Sequence, residues 1–320
     1  MQRSDFDITD KIRTIDSAEV GNEVMRLFRA LYTGKPSPQI ERAFKDIELL
    51  YKGKHADYHS CDTEYHDIQH VLDVTLTTAR LLDGYERGRK DRAPLSPDYF
   101  SIGVIAALFH DFGYLRRRDD QKHRYGAEYT LTHVTRGSDF LLDYYFPSIG
   151  WKQHAAAAAQ LVHFTGYERK VDSISLDDPV LRRVGEILGT ADIIAQMSDR
   201  CYLEKCRDRL YPEFVLGGVA RRTLPDGQVV TVFESGDDVV RKTPGFYFNA
   251  MKRLDEQLKR AYDYAEVHLG GQNLYLEGMD KNMRYAKVAG TDNPRDPLRR
   301  APPTTLPPGV RGYPEDLVIP

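Results

Sequence analysis

Apolar residues recur along most of this chain at the three-to-four-residue spacing of amphipathic helices. In the segment 20–33, for example, Val24, Leu27 and Leu31 share one helical face, and Pro36 follows as a helix-ending residue. The same periodicity predicts further helices over 40–51, 67–82, 125–145, 151–163, 179–203 and 245–269. The pattern therefore predicts an all-α fold.

One segment differs because it is apolar on nearly every side. The stretch 97–110 carries an almost unbroken apolar run, and Gly113 follows soon after it. A helix without a polar face must be surrounded by other helices, so we expect this one at the centre of the fold. The helix over 67–82 is expected to close at Asp83-Gly84, where a glycine follows a polar residue.

Two regions depart from the helical pattern. Residues 218–234 alternate in polarity around Pro225-Asp226-Gly227 and predict a small β-hairpin insertion. The tail 291–320 holds eight of the seventeen prolines and is expected to be disordered. We therefore predict one helical domain over 1–290, with its core at about 60–200, followed by this tail.

Composition and charge limit the classes of partner. A net charge of −3 and a pI near 6.4 give no electrostatic reason to expect duplex nucleic acid or an anionic membrane as a ligand. No apolar run approaches the ~20 residues of a membrane span. The three cysteines fit reduced thiols, and the first eleven residues lack the apolar core of a signal peptide, so we expect a cytoplasmic protein.

Histidines and aspartates are placed where they could hold a divalent metal ion. His66 and His70 are four residues apart on one helical face, and His110-Asp111 ends the apolar helix. Asp192 is a lone carboxylate in an apolar helix, where an unpaired charge would be costly. We take His70, His110, Asp111 and Asp192 as candidate ligands. Mixed His and Asp ligands suit Mn, Mg, Zn or Fe.

These motifs resemble those of the HD-domain metal-dependent phosphohydrolase superfamily. The run Tyr65-His66-x-x-x-His70-x-x-Asp73-Val74 is similar to the signature of its cyclic-nucleotide phosphodiesterases. The stretches 133–137 and 191–196 resemble an uncharacterised bacterial branch of the superfamily. The resemblance covers about residues 60–200 and implies an all-helical fold and metal ligation by the four candidate ligands. It also implies that His66 donates the proton to the leaving oxygen.

The chain also departs from that signature. Asp67 stands where the phosphodiesterases have Asn, and His110-Asp111 continues as Phe112-Gly113-Tyr114 instead of Asp-His-Pro-Gly. No counterpart of their purine-clamping glutamine and phenylalanine is evident. Cyclic-nucleotide specificity is therefore not carried over.

A second group of residues could extend the site. His133 and His163 are candidates for a second metal or for substrate, with a structural hydrogen-bonding role as the alternative. The run Arg116-Arg117-Arg118 could bind substrate phosphate or could form a solvated loop. Glu128, His55 and His59 are weaker candidates.

We predict a metal-dependent phosphoric ester hydrolase with one or two divalent ions per chain. Its substrate would be a small phosphoester, such as a nucleotide or cyclic nucleotide, hydrolysed by a metal-activated hydroxide with His66 as general acid. The alternatives are a nucleotidase or nucleoside triphosphate hydrolase of the same superfamily, a metal-containing regulatory domain without catalysis, and an oxygenase. Homo-oligomerisation is left open.

Overall fold

The computed structural model describes residues 3–224, 226–289, 298–310 and Tyr313. Helices dominate the fold, as predicted, and a two-stranded antiparallel hairpin is the insertion expected near residue 225. The strands are β1 (Arg221–Thr223) and β2 (Val229–Thr231). The α-helices are α1 (Ser17–Leu31), α2 (Pro38–Tyr51), α3 (Ile68–Arg87), α4 (Pro97–Phe109), α5 (His133–Phe140), α6 (Phe146–Ser148), α7 (Ala155–Val162), α8 (Pro179–Ser198), α9 (Tyr202–Lys205), α10 (Tyr211–Leu216), α11 (Gly236–Lys252), α12 (Asp263–His268) and α13 (Leu274–Ala289).

The centre of the fold is formed by α3, α4 and α8, which pack against one another. Every residue of α4 from Phe100 to Phe109 is buried, which confirms the central position predicted from its apolar sequence. Ser96 is the N-cap of this helix, and its side chain accepts a hydrogen bond from the backbone N–H of Tyr99. Because α4 ends in the interior of the protein, the residues that follow it directly are also buried.

The expected end of α3 at Asp83-Gly84 is wrong, since the helix continues to Arg87. Gly84 lies within the helix, where it allows close packing and does not terminate α3. A Cβ atom at this position would lie 1.9 Å from the backbone oxygen of Tyr264, at the start of α12. The absence of a side chain therefore lets two helices approach closely.

Several other boundaries differ from the periodicity. The segment 125–145 is α-helical only from His133 and ends in a π-helical turn. The segment 179–203 breaks at Asp199, whose non-helical backbone ends α8. The single helix predicted over 245–269 is wrong: α11 begins earlier, at Gly236, where Ser235 caps it, and ends at Lys252. A π-helical turn and the separate helix α12 follow. The helix α13 was not predicted.

The described part of the tail, residues 298–310, contains no helix or strand, in keeping with its proline content. It nevertheless lies against the helices, and Leu298 is buried. The remainder of the predicted disordered segment lies outside the described residues, apart from Tyr313. Among the described helices, none combines the length and apolar character needed to cross a membrane.

Candidate metal centre and active site

His70 lies in the first turn of α3, where a capped helix end fixes its backbone. The side chain of Asp67 is the N-cap, and its Oδ1 accepts a hydrogen bond from the backbone N–H of His70 at 2.9 Å. The imidazole is almost fully buried. Its Nε2 lies 3.2 Å from Asp111 Oδ2 and 3.4 Å from Asp192 Oδ1.

His110 and Asp111 follow the last residue of α4. The Nδ1–H of His110 donates to the backbone oxygen of Ala107 at 2.8 Å, because a carbonyl can only accept. The lone pair of its Nε2 is then free to bind a metal ion. This Nε2 lies 3.3 Å from Nε2 of His70 and 3.2 Å from Asp111 Oδ2.

Asp192 projects from the middle of α8 towards the same point. Its Oδ1 lies 3.8 Å from Nε2 of His110. Gln196, one turn later, donates to this Oδ1 at 3.1 Å, and Gln196 in turn accepts from the hydroxyl of Tyr65 at 2.9 Å. The carboxylate is therefore held in place by side chains that do not themselves reach the cluster.

The donor set fits a divalent metal ion. Ligand atoms of His70, His110 and Asp192 all lie within 4.8 Å of one another. Asp111 joins them, because its Oδ2 is within 3.2 Å of both imidazoles. That oxygen is buried and has no hydrogen-bond partner among the described residues. An orphaned buried carboxylate oxygen is costly, and a cation would satisfy it.

Electrostatics within the cluster favour positive charge. Burial alone would lower the pKa of His70, but the carboxylates of Asp111 and Asp192 outweigh it and raise this pKa to about 10. Burial likewise opposes protonation of His110, and Asp111 again raises its pKa. The pKa of Asp111 is held well below its ordinary value by both imidazoles, despite its burial. The carboxylates thus attract either protons on the histidines or a cation.

His66 lies just outside the cluster and is oriented by a residue distant in sequence. Its Nδ1–H donates to Oε2 of Glu213, on α10, at 2.5 Å. Glu213 is fully buried, and its Oε1 accepts the backbone N–H of Tyr65 at 2.7 Å. With Nδ1 occupied, Nε2 of His66 is the nitrogen available to a substrate. The ring centroids of His66 and His70 are 5.7 Å apart.

His133 is the one of the two second-tier histidines that contacts the cluster. Its Nδ1–H donates to the backbone oxygen of Thr130 at 2.7 Å, and its Nε2 lies 3.6 Å from Asp111 Oδ1. Burial lowers its pKa, so the imidazole is neutral near pH 7. The ring of Tyr114 stacks on both His133 and His66, with centroid distances of 4.4 Å.

The backbone of His133 approaches the His-Asp turn closely because of Gly113. A Cβ atom on Gly113 would lie 1.9 Å from the backbone oxygen of His133. This glycine follows α4, as predicted, but its tertiary role is to admit the start of α5. The sequence His110-Asp111-Phe112-Gly113 therefore provides two candidate ligands, and its glycine leaves space for the backbone of His133.

His163 forms a buried pair of its own. Its Nδ1 and Oε1 of Glu168 are 2.8 Å apart. The structure gives this imidazole a carboxylate partner, and its predicted role at a second metal stays a prediction.

The three consecutive arginines are engaged with protein groups. Arg116 lies 3.4 Å from Asp62, Arg117 pairs with Asp119 at 2.9 Å, and Arg118 donates to the backbone oxygen of Gly53. These contacts neither form a phosphate-binding site nor exclude one, so phosphate binding by the three arginines stays a prediction.

The weaker candidates also have local partners. Glu128 accepts the backbone N–H groups of Arg124 and Tyr125, which makes it a cap. His55 accepts from the backbone of Asp57, and the backbone of His59 donates to Arg116. None of these contacts among the described residues brings the three into the cluster.

Sequence reasoning missed Glu213, Gln196 and Tyr114. Gln196 could have been found, because it lies four residues after Asp192 on the same helical face. Tyr114 directly follows the His-Asp turn. Glu213 gave no local signal, since its link to His66 spans 147 residues.

Comparisons with known proteins do not assign a function to this chain, so a functional assignment rests on the residues described above. No protein-family model and no curated protein sequence matches the chain. Two solved structures are similar: the phosphodiesterase domain of a rhodopsin phosphodiesterase from Salpingoeca rosetta, and the same kind of domain in the RhoPDE fusion protein of that choanoflagellate. Each is 14% identical with a TM-score of 0.49, over 90% of this chain and 91% or 95% of the other. A likeness this distant leaves the chemistry to be argued from the chain's own side chains.

Proposed function

We propose that this protein is a metal-dependent phosphohydrolase of the HD type that cleaves a small phosphoester. The observation that carries the proposal is the clustering of His70, His110, Asp111 and Asp192 around one buried point, next to His66. These are the four ligands and the proton donor that the sequence resemblance implies.

The four clustered residues would hold one divalent ion. When bound, such an ion lowers the pKa of water from about 15.7 towards about 7 and compensates charge on phosphoryl oxygens. Mixed imidazole and carboxylate donors admit Mn, Mg, Zn or Fe. His133 and the second oxygen of Asp111 could contribute to a second ion, because they lie 3.6 Å apart at the edge of the cluster.

His66 would protonate the departing oxygen of the ester. The pairing of Nδ1–H with Glu213 fixes the ring and leaves Nε2 for the substrate. The carboxylate also holds the imidazole in the orientation that the proton transfer requires. A domain that only stored a metal would have no use for this arrangement.

The test is hydrolysis of a panel of phosphoesters by the purified protein with Mn, Mg, Zn or Fe. The panel contains cyclic nucleotides, nucleoside mono- and triphosphates and bis(p-nitrophenyl) phosphate, so it also separates a diesterase from a nucleotidase or triphosphate hydrolase. We expect metal-dependent release of product with at least one ester. His66→Ala should lower kcat by about 10²- to 10⁴-fold while metal content stays unchanged.

The matched control is His154→Ala, because His154 lies outside the cluster, 3.9 Å from Asp98. It should retain wild-type activity. A metal-loaded protein that is inert towards the whole panel would contradict the proposal and favour a regulatory domain. Oxygen consumption by an iron-loaded protein would favour an oxygenase.

A further inference from the structure

The proline-rich tail follows a defined path across the protein. The backbone N–H of Arg300 donates to Glu204 at 3.2 Å, and the guanidinium group of Arg300 lies 4.7 Å from the ring centroid of Tyr285. Together with the buried Leu298, these contacts fix the start of the segment 298–310 on α9 and α13. We call this segment the strap.

Arg209 binds the next part of the strap. Its Nη2 donates to the backbone oxygens of Pro302 and Pro303, at 3.1 and 2.9 Å. Proline carbonyls in an extended segment are good acceptors, because they have no intrasegment partner. The same guanidinium group donates to the backbone oxygen of Glu64 and lies 3.8 Å from Oδ2 of Asp67. One side chain thus joins the strap to the loop that precedes α3.

Thr305 closes the strap onto Asp67. Its hydroxyl donates to Oδ2 of Asp67. Asp67 is buried, and its other oxygen caps α3 by accepting the N–H of His70. The cap of the metal-bearing helix is therefore completed from the far end of the chain. Residues 304–308 of the strap, with Tyr51 and Ile68, line a cavity of about 470 Å³ beside this contact.

We propose that the strap is an intramolecular positioning device that holds the Asp67 cap and, through it, the backbone of His70. The docking of the strap stands on its own contacts, whereas its effect on metal binding rests on the proposed function. An aspartate at position 67 suits this role. One carboxylate oxygen of Asp67 accepts from the Thr305 hydroxyl and the other from the His70 N–H, while Arg209 lies 3.8 Å away as an ion-pair partner. An Asn amide nitrogen at this position could not accept.

The experiment uses the full-length protein with Thr305→Val, which removes the hydroxyl and keeps the shape. The control is Thr304→Val, because the neighbouring Thr304 is exposed and the substitution is the same. Thr305→Ser restores a hydroxyl and should rescue any loss. Arg209→Gln tests the second anchor independently.

The first readout is amide hydrogen exchange over residues 61–71, which requires neither metal nor turnover. We expect Thr305→Val to speed exchange at His70 by about tenfold, as for loss of a hydrogen bond to a buried charged group. Thr304→Val and Thr305→Ser should match the wild type. Equal exchange rates at His70 in Thr305→Val and Thr304→Val would contradict the proposal that the strap holds the Asp67 cap.

The second readout is the affinity for Mn²⁺ alone, measured by calorimetry, with the visible spectrum of the Co²⁺-loaded protein as a report on ligand geometry. We expect Thr305→Val to weaken Mn²⁺ binding by about tenfold and to shift the Co²⁺ bands. Unchanged affinity and spectrum together with faster exchange would overturn the coupling to the metal centre. A wild type that binds none of Mn²⁺, Mg²⁺, Zn²⁺ and Fe²⁺ would contradict the proposed function, while the exchange data would still decide whether the strap docks.

Discussion

Nδ1 of His66 lies 2.5 Å from Oε2 of Glu213, although 147 residues separate them along the chain. The pair joins the loop before α3 to α10. It occupies Nδ1 and leaves Nε2 of the imidazole without this contact, so it links the fold to the proposed proton transfer.

Glu213→Gln should lower kcat by at least about tenfold, because an amide offers one acceptor oxygen and cannot accept from both the Tyr65 N–H and the Nδ1–H of His66. The substitution keeps an acceptor for the backbone of Tyr65, so the fold should be retained. The measurement is the pH profile of kcat for the wild type and the variant. The control is Glu186→Gln, a buried glutamate on α8 that pairs with Arg183. A wild-type profile in Glu213→Gln would argue against the orienting role.

His110→Ala should remove metal-dependent stabilisation. A ligand that binds only the folded state stabilises it by about 2.7 kcal/mol at a concentration of 100 Kd. We expect Mn²⁺ to raise the Tm of the wild type and to leave that of His110→Ala unchanged, as measured by calorimetric melting with and without EDTA. His123→Ala is the control, since His123 pairs with Asp120 away from the cluster. An equal Mn²⁺ response in both variants would contradict the ligand role of His110.

Gly84→Ala should destabilise the protein by about 1–3 kcal/mol, because the added Cβ would collide with the backbone oxygen of Tyr264. Gly245→Ala provides the matched control on another helix. No atom lies within 4 Å of a Cβ placed there, so helix propensity should stabilise that variant by about 0.5–1 kcal/mol. The free energy of unfolding in urea measures both. Equal values for the two variants would show that α3 and α12 separate readily.

Asp7→Asn should lower the free energy of unfolding by about 3 kcal/mol near pH 7. The substitution removes the carboxylate whose Oδ2 lies 2.6 Å from Nη2 of the buried Arg80. Burial alone would raise the pKa of Asp7, but Arg80 and backbone N–H donors outweigh it and lower this pKa. A depressed pKa in the folded state stabilises the protein above about pH 3.9, and this stabilisation is lost as the pH falls further.

The difference between wild type and Asp7→Asn should therefore shrink as the pH is lowered through this range. Urea unfolding at pH 7, 4 and 3 gives the comparison. Asp10→Asn, in the same N-terminal segment but paired with the exposed Arg3, should stay close to the wild type throughout. A constant difference at all three pH values would contradict the argument.

The candidate site divides into residues that sequence could identify and residues that it could not. His110-Asp111 and Asp192 stood out because polar groups in apolar helices need a reason to be there. The structure brings them together with His70, while their binding of metal stays a prediction. Tyr114 and Glu213 were missed because their partners are distant in the chain, whereas the spacing of Gln196 from Asp192 was a local signal.

By itself, the sequence determined the helical class, the central position of α4 and the hairpin, because the spacing of apolar residues is a local property that each segment carries with it. Only the tertiary structure decided that Gly84 lies inside a helix, that Glu213 orients His66 and that Thr305 completes the Asp67 cap. These three relationships join segments separated by 147 residues or more, or depend on two helices approaching within contact distance. Such contacts follow from how helices pack, and no local pattern records them.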